Sequence, residues 1–192
     1  QHYWSMNTGA WFEAEGTNRW ATRSYNGQRG PLITRPAVQG RWFELQTDWR
    51  KNWNISQKFD WGSDETTYRE FSSNTSFNWV QSDYLTHSIA FNYSDLTRDS
   101  QWMGNFASAT GIGGVSYVFG RIDQQEWRLT WRSSILFERD RSLELYLQPY
   151  LTVGDYTDPR ELSTPDSYDL VPYTADGFQV ADSDFSFASV NL

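Results

Sequence analysis

The chain has 192 residues, no cysteine, and 24 acidic against 16 basic side chains, a net charge of −8. Disulfides and thiolate chemistry are thereby excluded, as suits a protein that crosses an oxidising periplasm; the acidic balance, with no polybasic run, speaks against nucleic acid, whose phosphates would be repelled. Aromatic residues make up 18% of the chain, yet the longest apolar runs, such as Tyr117–Phe119 and Ile135–Phe137, span three residues, so a membrane-crossing helix is excluded and any spanning falls to strands.

Taken in order, the predicted elements share one pattern. From 4 to 14 the even positions read Trp4, Met6, Thr8, Ala10, Phe12 and Ala14. The odd positions then carry Phe, Leu, Thr and Trp over 43 to 49, Trp, Ile, Gln, Phe and Trp over 53 to 61, and Phe, Ser, Thr, Phe and Trp over 71 to 79. They continue as Leu, His, Ile, Phe and Tyr over 85 to 93, Trp, Leu, Trp, Ser, Ile and Phe over 127 to 137, and Leu, Leu, Leu, Pro, Leu and Val over 143 to 153. A period of two describes a strand with one greasy and one wet face. None of these seven faces holds Asp, Glu, Lys or Arg, although charged residues form 21% of the chain. The expectation is an all-β chain, with polar alternate positions facing a lumen as in a barrel.

The breaks alternate in length. Short turns are predicted at Gly16 to Asn18, Arg50 to Asn52, Gln81 to Asp83 and Glu138 to Arg141, and longer connections at about Asn26 to Pro36, Gly62 to Thr66, Asp95 to Val115 and Gly154 to Asp182. Short turns at one rim and long loops at the other are the pattern of an outer-membrane up-and-down barrel. Trp49 and Trp53 flank one short turn, with Trp4 and Trp79 also on the charge-free face, while Trp61, Tyr93 and Trp127 lie toward the other strand ends. Rings with one polar atom suit the headgroup boundary. Five prolines (Pro31, Pro36, Pro159, Pro165, Pro172) fall in loops, and Pro149 implies a bulge or an unpaired position within its strand.

Several segments resemble a known family. Gly30 to Pro36, Gln101 to Gly104, Tyr117 to Gln124, Leu143 to Tyr150, Gly154 to Tyr156 and Asp184 to Phe187 fall in the order seen in the bacterial domain-of-unknown-function 5916 proteins, a resemblance that spans roughly residues 26 to 192. It implies the C-terminal barrel of Gram-negative outer-membrane proteins that commonly carry an N-terminal carbohydrate-binding-like sandwich. Family chains continue with further strands. Beginning at Gln1 and ending at Val190–Leu192 in an apparent strand, the 192 residues are expected to form one segment of an incomplete, porin-like transmembrane β-barrel of about nine strands.

Candidate chemistry is sparse. His2 and His87 are the only histidines and lack the spacing of a zinc site. Asp155, Asp158, Asp166, Asp169, Asp176, Asp182 and Asp184 crowd the last connection without the loop motif of a calcium site. Glu126 and Glu144, on the wet faces of neighbouring strands, would suit retaining glycoside hydrolysis if about 5 Å apart, but Arg128 and Arg132 share that face and a charge ladder explains all four. Trp102, Tyr156, Tyr168 and Tyr173 are predicted in long loops, where they could stack on sugar rings. The reading is therefore a non-catalytic bacterial outer-membrane β-barrel without cofactor, acting in passage, anchoring or assembly, with lipid, glycans or other envelope subunits as partners. The alternative is a soluble aromatic-rich sandwich, either a carbohydrate-binding module or a small glycoside hydrolase, whose charge-free faces pack against each other.

Overall fold

The computed structural model describes residues 3–138, 140–174 and 184–192; these form strands and turns with no helix, and the sheets are antiparallel. In chain order the strands are β1 Ser5–Glu13, β2 Gly16–Asn18, β3 Ser24–Tyr25, β4 Gln28–Arg29, β5 Ile33–Arg35, β6 Val38–Gln46 and β7 Trp53–Asp64. They continue with β8 Arg69–Ser82, β9 Leu85–Ile112, β10 Val115–Glu138, β11 Arg141–Leu162, β12 Leu170–Pro172 and β13 Phe185–Asn191. A meander in the order β1, β6, β7, β8, β9, β10, β11, β13 forms a wall, and β12 beside β11 makes it a nine-stranded sheet. The wall is open: β1 and β13, its outer strands, are not paired with each other among the described residues.

The registers place all seven charge-free faces on one side. A single row crosses the wall as Thr8, Phe43, Phe59, Ser73, Tyr93, Trp127, Leu151 and Ala188, each directly opposite the next. One residue along, the row becomes Asn7, Glu44, Lys58, Asn74, Asn92, Arg128, Tyr150 and Ser189. Among the described residues no further layer covers the apolar face, where Trp4 is 62% exposed and Phe91 42%. The polar face is laced by its own side chains: Asn78 donates to Asn54 at 3.2 Å, Lys58 meets Asp60 at 2.6 Å and Gln148 donates to Thr130 at 3.1 Å.

Three short connections lie at one end of the wall, at 47–52, at 83–84 and between Glu138 and Arg141. The opposite end differs from expectation in four places. Gly16–Asn18 is not a turn but strand β2, paired with β5. The connection after β7 is a short turn, because Asp64 Oδ1 accepts hydrogen bonds from the backbone of Thr66 at 2.8 Å and of Tyr68 at 3.1 Å. Residues 95–115 are not a long loop: β9 runs on past Thr97, where β8 ends, and reverses at Gly113 and Gly114, whose φ angles of 61° and 86° suit a two-residue hairpin turn. Likewise β11 continues to Leu162. Pro149 faces Val190, and the β10 ladder lapses beside it and resumes in the same register, so it marks an unpaired position and not a bulge.

These extensions build a cap. Bulges at Asp99–Ser100 on β9 and Asp158–Pro159 on β11 flank Gly120–Arg121 of β10 and bend the extended hairpins at one level. Beyond it β10 is buried from Ser116 to Gly120, and Tyr117, Phe119, Ile33 and Leu162 form the hydrophobic core, with Trp102, Ile112, Tyr168 and Leu170 packed around it. The β2–β5 segment is tied on by backbone bonds, Thr34 N to Ser167 O and Asp166 N to Leu32 O, both 3.0 Å, and by Asn105 Nδ2 donating to Thr22 O at 2.9 Å.

On the polar face, Gly9 lies opposite Trp42 and Gly40 opposite Trp11. Each indole rests on its glycine: a Cβ at Gly40 would stand 2.6 Å from Trp11 Nε1, and one at Gly9 2.7 Å from Trp42 Nε1. A strand glycine covered by a cross-strand ring keeps its place in the sheet. Gly40→Val is expected to lower the unfolding free energy by about 1–3 kcal/mol. In denaturant titration the double variant with Trp11→Ala should cost less than the sum of the two single changes.

Candidate functional site

Of the sequence-predicted interface aromatics, Trp53, Trp61, Trp79, Tyr93 and Trp127 lie on the apolar face, toward its two ends, while Trp4 precedes β1 and Trp49 lies in the turn after β6. Toward the long-connection end Trp61, Phe71, Tyr93 and Trp127 run across β7 to β10 with ring centroids 5.7, 6.2 and 5.7 Å apart. Tyr93 directs its hydroxyl to Asp95 at 3.1 Å, and at this level the same face turns charged, with Arg41, Arg69, Asp95 and Asp123. At the other end Trp53 faces Trp79, whose ring meets His87 at 5.4 Å, and Trp4 and Trp49 are exposed.

A clasp closes that short-turn rim. Asp48 accepts Arg50 Nε and Nη2, both at 2.9 Å, and Arg50 N at 3.1 Å, while the Arg50 guanidinium lies 3.7 Å over the Tyr3 ring. The bonds from Arg50 hold the Asp48 carboxyl at about 2, below its ordinary 3.8.

The candidate catalytic pair is not assembled. Glu126 faces Thr152 and Glu144 faces Ser134 on the same ladder, so the two are eight residues apart along the strands, roughly 26 Å at ~3.3 Å per residue, too far for either glycosidase geometry. On that face Arg128 lies over Tyr150 at 5.3 Å and Arg132 over Tyr146 at 5.1 Å. His87 Nδ1 is bonded to Ser133 Oγ at 2.7 Å, and the described residues hold no cluster of metal-ligating side chains. The aspartates of the last connection are dispersed: Asp155 and Asp158 belong to β11, Asp158 pairs with Arg160, Asp169 accepts the Ser163 hydroxyl and Asp184 accepts Tyr156 N at 2.6 Å. His2, Asp176 and Asp182 lie outside the described residues.

Of the proposed sugar-stacking aromatics, Trp102 and Tyr156 belong to β9 and β11 instead of loops. Trp102 is spent on packing, with Nε1 donating to Asn105 Oδ1 at 3.0 Å and the Arg23 guanidinium 3.8 Å from its ring. Tyr156 sits against Phe185 and Tyr173 stacks on Phe106, at 6.4 and 5.9 Å. Tyr168 lines a cavity, and its partners there are residues that the sequence did not single out.

That cavity, about 250 Å³, lies between the wall and the cap. Trp11, Tyr68 and Tyr168 supply rings, and Glu13, Arg35, Asp64, Arg98, Asn18 and Ser100 supply polar groups. Trp11 rests on Gly40 and is still 43% exposed. Tyr168 donates its hydroxyl to buried Asp99, which also faces Arg160 at 4.0 Å, and burial followed by this bond pushes the phenol far up. Burial, and then the hydrogen bond its hydroxyl donates to Glu70, pushes Tyr68 up to about 12. A large ring on the wet phase of β1, two residues from a glycine, was the available signal for Trp11.

No family model, curated protein or solved structure matches this chain. The family resemblance rests on the quoted segments.

Because Asp48 is more acidic folded than unfolded, its clasp stabilises the fold above about pH 3.8 and that contribution fades as pH falls toward 2. Denaturant titrations between pH 5 and 2 should therefore show a stability loss in this window, and Asp48→Asn should flatten it.

Proposed function

We propose that this chain is wall and cap of a transmembrane β-barrel in a bacterial outer membrane, acting without catalysis in passage, anchoring or assembly, with glycans as the associated chemistry. The observation that carries the reading is the uncovered apolar face, free of charge over eight aligned strands and bounded at both ends by aromatic rows. From Trp53 to Trp61 on β7 the belt measures about 26 Å along the strand at ~3.3 Å per residue, nine residues, at the lower end of the length a tilted membrane strand needs.

In water such a face is a strong liability, since contiguous apolar patches of more than a few hundred Å² mark interfaces. Against lipid it is the ordinary exterior of a barrel wall, and the Ser, Asn, Thr, Lys and Arg of the other face then line a lumen. The resemblance to the domain-of-unknown-function 5916 barrels supports the same placement and points to closure by further strands. The soluble sandwich requires the charge-free faces to pack on one another; here Trp53 is 50% exposed, Leu145 44% and Val190 61%.

The intact native protein should fractionate with the outer membrane and migrate differently on gels with and without boiling. Phe91→Arg, on the apolar face, should cost about 2–4 kcal/mol of folding in membrane and abolish the unboiled folded band, whereas Asn92→Arg on the polar face should leave it. A detergent-free soluble protein in which both variants behave alike contradicts the reading. In liposomes, ion or sugar flux assigns passage, and silence leaves anchoring or assembly.

A further inference from the structure

We infer that the cavity beneath the cap is a binding site for a single acidic sugar ring, a hexuronate or the uronate end of a glycan. The inference goes beyond the membrane reading and stands on the cavity alone.

Its polar groups divide sharply by what they have left to offer. The acids are committed: Glu13 is paired with Arg35, and Asp64 Oδ1 takes three hydrogen bonds from Thr66 and Tyr68 of its own turn. Both phenols donate to carboxylates behind them, Tyr68 to Glu70 and Tyr168 to Asp99. Asn18 Oδ1 already accepts Trp20 N and Ala21 N, at 2.9 and 3.1 Å, which leaves its amide NH₂ to donate.

Arg98 is the cation with capacity to spare. Its guanidinium lies 5.4 Å from the Tyr68 ring centroid and hydrogen-bonds the Tyr68 hydroxyl, but no described carboxylate stands within ion-pair distance of it, so its charge is unanswered. What remains unspent is therefore the rest of the guanidinium's donors and an amide donor, beside the open parts of Trp11 and Tyr168. Such a set asks for an acceptor-rich anion with an apolar ring face: a carboxylate for the guanidinium, ring oxygens and hydroxyls for the amide, and axial C–H groups for the aromatic surface. At about 250 Å³ the space is smaller than drug-sized sites of ~300–1,000 Å³ and suits one ring. Neutral sugars would leave the Arg98 charge unanswered, and a small carboxylate such as acetate would leave the rings uncovered.

Calorimetric titration of the intact, detergent-solubilised protein with galacturonate and glucuronate, against glucose, galactose and acetate, tests this. A uronate should bind at least tenfold more tightly than the matching neutral sugar and than acetate. Arg98→Gln should remove about tenfold or more of that affinity, the scale of a lost charged hydrogen bond, and bring uronate and neutral sugar level; Arg98→Lys should fall between. Lys51→Gln, the same charge change at the far rim, should leave binding unchanged, with circular dichroism reporting the fold of each variant. Absence of saturable uronate binding, equal binding of acetate or neutral sugar, or uronate binding unaffected by Arg98→Gln in folded protein overturns the inference. Since the readout is binding in detergent, it is independent of whether the protein proves to conduct or to sit in a membrane.

Discussion

The registration of eight antiparallel strands is the constraint on which the rest of the molecule depends. Side chains alternate with a period of two, so a slip of one residue anywhere in the meander would carry a strand's whole set to the other face. At the middle of the wall such a slip exchanges Phe59 for Lys58, Phe91 for Asn92 and Trp127 for Arg128. The penalty on either side is large: charge against the medium that the apolar face requires, or indole and phenyl rings in the polar row. Short turns at the reversals from β6 to β11 reinforce the register by leaving the strands little room to slide.

Wall and cap obey different physics. The wall has no packed interior; its hydrogen-bonded ladders carry two unlike surfaces, and its stability depends on what each surface meets. In the cap, β10 passes beyond two bulges and is covered on both sides from Ser116 to Gly120, which creates the hydrophobic core of the described structure. The Asp99, Tyr168 and Arg160 contacts sit where wall becomes cap, so one buried carboxylate ties the bulge on β9 to the loop after β11. The cavity lies at this junction because a flat wall and a bent hairpin diverge there and a third segment, β2–β5, bridges the gap.

Much of the wall was legible in the sequence because alternation is a local signal that tertiary context seldom erases when one face must exclude charge. The phase of every strand face from Trp4 to Val153 follows from it. The cap was less legible for three physical reasons. Residues 98–112 lose the alternation since they leave the wall, so they read as loop although Gly113–Gly114, like Asn26–Gly27, is a strong hairpin signal. Tyr117-Val118-Phe119 is an unalternating apolar run, the mark of a strand buried on both faces, too short to stand out. The separation of Glu126 from Glu144 depends on the β10–β11 register, which same-face membership leaves undetermined, and the cavity joins residues from five separate segments.

The central claim is that the charge-free face meets lipid and its opposite meets water. The chain has no native cysteine, so single cysteines at Ile89, Ala90, Phe91, Asn92 and Tyr93 can each carry a spin label in the intact protein reconstituted in bilayers, with accessibility read to oxygen and to a water-soluble nickel complex. High oxygen accessibility at 89, 91 and 93 alternating with nickel accessibility at 90 and 92 is the predicted result. Uniform access to the nickel complex at all five positions, or protection of 89, 91 and 93 from both probes, would contradict the account.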